Sequence, residues 1–472
     1  MIDIALIREK PDWVKEQIHK LNDPAAVERV DAVLALDQQR RAILVESEAL
    51  QAHRNKLNKA MGRLRGDKKA DDATKAARAY HAAQAIQSGN YDAAEALMLG
   101  EAEAPAHEGD VNAMLEQLTD VLRALGDRVN ALNDQLRPVD EGLQENLLWI
   151  PNLPHESVPV ADSDEHNIAW PPEGEFREFD FEPLPHWDIG PALGLIDFER
   201  GVKLSGSRAY VLAGMGARLQ RALEALFLDM AREKGFIELY VPFFVREDML
   251  YGAGQFPKFQ DVVYYDADAE VYLLPTAEVA ITNLHRDEIL EERDLPLYYV
   301  ADTPCFRREK SSAGRDTRGI KRVHQFQKVE MYKFTTPETS YAELESLVEA
   351  ASDICRALQI PFRRLEIVTG DLGFSATKKY DIEMWAPGSQ EWLEVSSCSN
   401  TEAFQARRAN VRYRPENGKK PQFVHTLNGS GLGMTRVIIA ILENYQQADG
   451  SVIVPEVLRP YLNGLEVIRK PE

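Results

Sequence analysis

Between Cys305 and Phe334 the chain reads CFRREKSSAGRDTRGIKRVHQFQKVEMYKF, a charge-rich stretch with apolar and aromatic residues at both ends. Gly314, Asp316 and Gly319 punctuate its middle as a long hairpin connection requires, so two strands joined by a charged loop are predicted. Alternation puts Cys305, Arg307 and Glu309 on one face of the first strand, and His324, Phe326, Lys328 and Glu330 on one face of the second. A guanidinium fork suits phosphate oxygens and an aromatic face suits a nucleobase, so the pattern points to a nucleotide. Taken by itself, the stretch reads equally well as a salt-bridged hairpin facing water.

Three further stretches carry groups of the same chemical kind. In LLPTAEVAITN, Thr276 and Glu278 open what reads as a helix, the ordinary signature of an N-cap. In EWLEVSSCSN, alternation along a strand puts Glu394 and Ser396 on one face and Ser397 on the other. Such a strand is by default a polar edge. HTLNGSGLGMTRVIIAILENYQ places glycines before a helix whose Val437, Ile438, Ala440, Ile441 and Leu442 suit burial. Glycines there allow close approach to a ligand, and a helix N-terminus favours anions. The P-loop pattern and GxGxxG are both absent.

The elements that must position these groups fall into two parts. From about Ala26 to Arg65, Leu36, Ile43, Leu50, Leu57 and Leu64 recur every seven residues. A second run, Val111, Leu115, Leu118, Leu122, Leu125, Val129, Leu132 and Leu136, steps by four and three until Pro138, where the helix is expected to end. Two such helices in one chain pair most simply as an antiparallel hairpin, and at ~1.5 Å per residue an arm of roughly 60 Å is predicted to project. Near its tip stand His53, Arg54, Lys56, Lys59, Arg63, Arg65, Lys68 and Lys69 against one acidic residue, Asp67. This patch suits a nucleic-acid backbone, although a solvated helix face has the same composition. The alanine-rich residues 70 to 110 lack a heptad and read as an insertion at the tip, a small helical cap. WIPNLPHESVP, from Trp149 to Pro159, is a linker, so the domain boundary falls there. A helix from about Ala213 to Lys234, closed by Gly235, then leads into a strand from Ile237 to Pro242.

The chain has 472 residues, enough for two domains, with 44% hydrophobic and 28% charged residues. A net charge of -21 opposes indiscriminate nucleic-acid coating, so RNA contact must come from local basic patches. Three isolated cysteines without a CxxC pair imply a reducing compartment, no disulfides and no zinc site. No apolar run is long enough to span a bilayer, and MIDIALIREKPDW lacks a signal peptide's apolar core; a cytoplasmic protein without membrane contact is expected.

The run Phe306, Arg307 and Glu309, followed by GRDTRG and HQFQKVEM, resembles motif 2 of class II aminoacyl-tRNA synthetases in the form found in seryl-tRNA synthetases. The similarity extends to the arm, the linker, motifs 1 and 3, and the C-terminal ADGSVIVPEVLRPYL. It implies an α+β fold: a class II catalytic domain on an antiparallel sheet with flanking helices, preceded by the coiled-coil arm. Residues 1–148 would form the tRNA-binding domain, with its tip insertion at about 66–110. Residues 149–472 would form the catalytic domain, with motif 1 at about 213–242, motif 2 at about 303–334 and motif 3 at about 425–445. HIGH and KMSKS, the signatures of the other synthetase class, are absent.

The implied reaction joins serine and ATP into seryl-adenylate and pyrophosphate, then passes serine to the 3' end of tRNA-Ser, with tRNA-Sec as an alternative acceptor. The resemblance implies an ATP site of Arg307, Arg308, Glu309, Val323, Phe326, Glu394, Val395, Ser396, Ser397 and Arg436. It implies a serine site of Thr276, Ala277, Glu278, Arg307, Glu330, Asn428 and Ser430. Arg307, Arg436 and Glu394 would be catalytic, and Glu394 with Ser397 would hold magnesium brought by ATP. Arg54, Lys56, Lys59, Arg63 and Arg65 would meet tRNA, and motif 1 would join two chains in a homodimer. Motif 2 departs from the family pattern at Arg308, Lys310 and Ser311; alternation turns Arg308 and Lys310 away from the face of Arg307 and Glu309. Two rivals are a ligase that loads a carrier protein, which would lack the arm, and a non-catalytic RNA-binding relative. Retention of both arginines with Glu278, Glu330 and Glu394 opposes the second.

Overall fold

The computed structural model describes residues 1–310, 318–418 and 420–470. Ser311, Gly314 and Asp316 of the predicted hairpin loop lie outside them. The chain divides into two compact units, Glu28–Leu147 and a larger one formed by Met1–Val27 with Leu148–Glu472.

In the smaller unit, helix α1 (Pro24–Gly66) pairs with α4 (Val111–Leu148), while α2 (Asp72–Gln87) and α3 (Tyr91–Leu99) lie between them in sequence. Ile43, Leu50, Leu57 and Leu64 share one apolar core with Leu118, Leu122, Leu125, Val129 and Leu132. The pairing is antiparallel. Arg40 meets Asp140 at 2.5 Å, Ser47 donates to Asn133 at 2.9 Å, and Arg65 donates to Thr119 at 2.8 Å, so one index falls as the other rises.

Pro138 does not end α4, contrary to expectation. The helix runs ten residues past it to Leu148, carrying Val139 into the same core and Asp140 onto Arg40. A proline inside a helix costs about 3 kcal/mol, and packing on a partner helix offsets that cost here. The insertion is helical. Asp71 and Asn90 cap α2 and α3 by accepting from Thr74 N and Ala93 N, and Gly100 closes α3 at φ +72°. Ala79, Ala82, Ala83, Ile86, Ala94 and Met98 join the arm's core, the alanines taking up little room and Ile86 and Met98 supplying the bulk.

The larger unit is built on eight strands: β1 (Ile168–Ala169), β2 (Ile237–Glu238), β3 (Leu297–Phe306), β4 (Gln325–Thr335), β5 (Phe362–Glu366), β6 (Lys378–Ala386), β7 (Glu391–Glu402) and β8 (His425–Gly433). Their order is β1-β5-β6-β7-β8-β4-β3-β2. Every pairing is antiparallel except β2 with β3. Helices α5 (Met215–Glu233), α6 (Ser340–Ala357) and α7 (Met434–Tyr445) pack their apolar residues into the main core with the sheet. The motif 1 strand is shorter than predicted. Only Ile237 and Glu238 pair, with Tyr299 and Val300, and Ile237 and Tyr240 face outward at 54% and 87% exposure.

Two strands depart from simple alternation. β3 ends at Phe306, and Glu309 takes a left-handed φ of +48°, so strand parity does not govern residues 307 to 310. In β7 the register with β6 jumps from Ser396 opposite Ile382 to Glu394 opposite Glu383, leaving Val395 as the extra residue of a β-bulge. The glycines of HTLNGSGLG form β8 itself instead of a loop before α7. Gly429 has a packing reason: a Cβ there would stand 2.9 Å from Leu347 of α6 and 3.0 Å from the Cys398 sulfur. Among the described residues no helix is long and apolar enough to cross a membrane.

Candidate active site

One cavity of about 520 Å³ is lined by side chains from β4, β6, β7, β8, α7, the loop after β3 and the turn at Pro275–Thr276. Arg307, Glu309, Val323, Phe326, Glu394, Val395, Ser396, Ser397 and Arg436 all line it, as do Thr276, Glu278, Glu330, Asn428 and Ser430. Residues more than 150 positions apart in sequence therefore share one space.

At one end the polar groups hold one another. The Thr276 hydroxyl donates to Glu330 Oε2 at 2.9 Å and accepts from Lys328 Nζ at 2.9 Å and from Glu278 N at 3.2 Å. Lys328 also pairs directly with Glu330. Register explains the grouping, because Glu330 on β4 lies opposite Ser430 on β8, and Tyr332 opposite Asn428. Glu278, in the short helix Glu278–Thr282, accepts from Gln405 Nε2 at 2.6 Å. The Gln405 amide oxygen in turn accepts from Tyr332 and Thr426, each at 2.8 Å. Burial, reinforced by the neighbouring Glu330 carboxylate, pushes the Glu278 carboxyl up to about 7 against Lys328, Gln405 and Asn428.

The other end is more open and more cationic. Arg307 Nε donates to Pro275 O at 3.4 Å, and the guanidinium carbon lies 5.2 Å from the Phe326 ring centre. Arg436, in the first turn of α7, donates to the Glu394 carbonyl at 2.5 Å and stands 3.5 Å from its carboxylate, whose side chain is 49% exposed. Burial would raise the Glu394 carboxyl, but the positive fields of Arg436, Lys379, Arg307 and Arg322 outweigh it and hold the group below its ordinary value. Asp381, opposite Ser397 on β6, is pushed up to about 7 by burial and by Glu394 against Lys379.

Two expected site residues stand apart from this lining. Ala277 is fully buried in an apolar cluster with Ile281 and Tyr332, because it is the N-cap of the short helix and turns inward while Thr276 and Glu278 turn to the cavity. Arg308 and Lys310 are exposed and do not line the cavity. The turn after Phe306 sets this, with Arg308 N donating to Val262 O at 2.9 Å. The bulge at Val395 also corrects the predicted facing of β7: Ser397 and Ser399 line the cavity together with Glu394, and Ser396, which borders it too, has its hydroxyl turned to donate to Ser430 O at 2.5 Å. Lys328, Arg322, Lys379 and Gln405 join the constellation without a role foreseen from sequence. Alternation places Lys328 beside Phe326 and Glu330; nothing local marks Gln405, whose helix, Phe404–Ala409, reaches Glu278 across the fold.

In the smaller unit, Lys56, Lys59, Arg63 and Arg65 are exposed. Arg54 is half-buried, its guanidinium filling the space where a side chain at Gly126 would stand.

Residues 260–445 match the family model of the tRNA synthetase class II core domain (G, H, P, S and T), and residues 1–96 match the seryl-tRNA synthetase N-terminal domain. A serine–tRNA ligase of Roseiflexus sp. strain RS-1 is 54% identical over the full length of both chains. The chain belongs to the seryl-tRNA synthetase family. It is accordingly an enzyme, a class II ligase of serine to tRNA that uses ATP. The crystal structure of seryl-tRNA synthetase from Pyrococcus horikoshii complexed with ATP superposes with a TM-score of 0.81 at 35% identity, covering all of both chains. The cytoplasmic enzyme of Naegleria fowleri in complex with AMP gives 0.79 at 28% identity, covering 100% of this chain and 99% of that one.

Proposed function

We propose that the closed end of the cavity holds serine and the cationic end holds ATP, and that the two substrates meet at Arg307. Glu278 and Thr276 take the serine ammonium; Glu330, Asn428 and Ser430 take its hydroxyl. Arg307 neutralises the α-phosphate as the serine carboxylate attacks it and pyrophosphate leaves, and Arg436 grips the γ-phosphate. Phe326 stacks on adenine, with Glu309 and Val323 at its edge. Displacement at phosphorus asks for positioning and charge neutralisation more than for a protein nucleophile, so the absence of a Ser-His pair among these groups is no obstacle. The observation that carries this reading is the convergence of Arg307, Arg436 and Glu394 with Thr276, Glu278 and Glu330 around one cavity.

Glu394 and Ser397 fit a magnesium ion delivered with ATP. Such a hard cation takes one or two protein carboxylates plus phosphate oxygens, and Glu394 offers a cavity-facing carboxylate kept ionised by its cationic neighbours. When bound, the ion would neutralise charge on the phosphates. The smaller unit, Glu28–Leu147, is the tRNA-binding arm within the expected 1–148 half, and the larger unit, which takes in Met1–Val27 as well as the expected 149–472, is catalytic; Lys56, Lys59, Arg63 and Arg65 lie along the tRNA backbone, with Arg54 supporting them. tRNA-Sec shares this route. The outward-facing Ile237, Tyr240 and Phe244 suit the contact between two chains of a homodimer.

Two assays test the reading. Serine-dependent ATP–pyrophosphate exchange should vanish in Arg307→Ala, and normal exchange would refute the site. Replacing Lys56, Lys59 and Arg63 together by alanine should leave exchange intact, weaken tRNA charging and flatten its salt dependence, because each phosphate contact contributes a released counterion. Unchanged charging would refute the role given to the arm.

A further inference from the structure

Away from the cavity lining, a buried carboxylate in the last turn of α7 collects four hydrogen bonds. Glu443 is fully buried and accepts from the backbone N of His186 at 3.0 Å, from His186 Nδ1 at 2.9 Å, from Ser389 N at 2.8 Å and from Ser389 Oγ at 2.6 Å. His186, itself 1% exposed, starts the helix His186–Ala192. Its other ring nitrogen, Nε2, accepts from Ile320 N at 3.2 Å. A backbone N–H can only donate, so Nε2 carries the lone pair and the ring proton sits on Nδ1, facing Glu443. Both ring nitrogens are thereby committed.

Gly319 completes the joint. It has φ +70°, and a Cβ there would stand 1.9 Å from His186 Nε2, so the imidazole fills the place a side chain would need. The three residues after Ile320 are Lys321, Arg322 and Val323, all lining the cationic end of the cavity. Two helical turns before Glu443, the same helix α7 carries Arg436. The ring thus bridges the limb that leads into β4 and the helix that bears the second arginine.

We propose that His186 is a positioning residue for ATP: through Glu443 and Ile320 N it sets the spacing between Arg436 and the Lys321–Val323 limb. The inference rests on the assignment of that end of the cavity to ATP. Serine binding is insulated from it, because Thr276, Glu278, Lys328 and Glu330 are held by one another and by Gln405.

The test is exchange kinetics with each substrate varied in turn. His186→Leu keeps bulk but leaves Ile320 N–H and Glu443 short of a partner; KM for ATP should rise about tenfold while KM for serine stays within about twofold. His186→Gln can accept from Ile320 and donate to Glu443 through its amide, and should recover most of the loss. Where His186→Leu fails to fold, Gly319→Ala probes the same contact from the other side, since its methyl displaces the ring; the same selective rise is expected. Equal rises for both substrates, no rise in either, or no recovery with glutamine would each overturn the proposal. Arg307→Ala run alongside separates the failures: if it still abolishes exchange while the His186 variants leave KM for ATP unmoved, the site stands and only this inference falls.

Discussion

Around Thr276, polar side chains are bonded to one another, whereas Arg307 and Arg436 lean on backbone carbonyls and Arg436 on a longer ion pair. Thr276, Lys328 and Glu330 close a triangle with bonds of 2.9 Å to the threonine hydroxyl. At the far end, Arg436 is 3.5 Å from the Glu394 carboxylate and Arg322 is 3.9 Å from that of Glu309. A closed network is rigid and discriminates by leaving its members unsatisfied when the wrong ligand enters. Cations held by the longer of these ion pairs can turn toward a triphosphate, whose oxygens accept charge-assisted hydrogen bonds from them. On the proposed assignment, selectivity and reactivity are divided between the ends.

The comparison can be broken at several points. The largest effect expected is discrimination against alanine, which would leave Glu330, Asn428 and Ser430 unpaired; kcat/KM should fall by about 10⁴ relative to serine in pyrophosphate exchange. Arg307→Ala should lower exchange by roughly 10³ or more, since it removes charge stabilisation where the bond is made. Glu278→Gln should raise KM for serine by about tenfold to a hundredfold and leave KM for ATP nearly unmoved. If both constants moved together, the two ends would not be separable. Mildest should be Arg322→Ala, which takes away a distant cation and should raise KM for ATP by only about two- to fivefold.

The pH dependence of the serine end follows from the same burial. The Glu278 carboxyl is held at about 7, above its ordinary value, so the folded protein keeps a proton that the unfolded chain releases. The stability this group contributes is present at low pH and is lost as pH rises through about 7. Binding the serine ammonium requires the carboxylate and follows the opposite trend: KM for serine should rise as pH falls below about 7. Glu278→Gln should abolish that slope, as measured by exchange at fixed ATP between pH 6 and pH 8.

Much of this was legible from residue order, and the gaps have physical causes. The arm follows from heptads because a coiled coil is stabilised by contacts that recur along the sequence. Pro138 misleads because a proline's cost is local and the packing that offsets it comes from α1, some hundred positions away. Arg307, Glu330, Glu394 and Arg436 stand out through the resemblance to the family's motifs, since by residue type alone the hairpin reads equally well as a solvated surface and the Glu394 strand as a polar edge. Arg308 and Ala277 fail as lining residues because the turn after Phe306 and the start of a one-turn helix set their direction, and neither feature has a periodic signal. Gln405 carries no local signal, because its part in the site lies in reaching Glu278 and Tyr332, contacts that only the folded sheet creates.

Glu394 and Ser397 stand three positions apart, an odd count that an unbroken pleat would send to opposite faces; the extra residue at Val395 brings them to one. Excising Val395 would leave both flanks opposite their present partners on β6 and the two groups two positions apart, so the strand straightens and the pair still shares the cavity face. A one-codon deletion, ordinarily ruinous inside a strand, is at this place alone among its neighbours a change of curvature and not of facing.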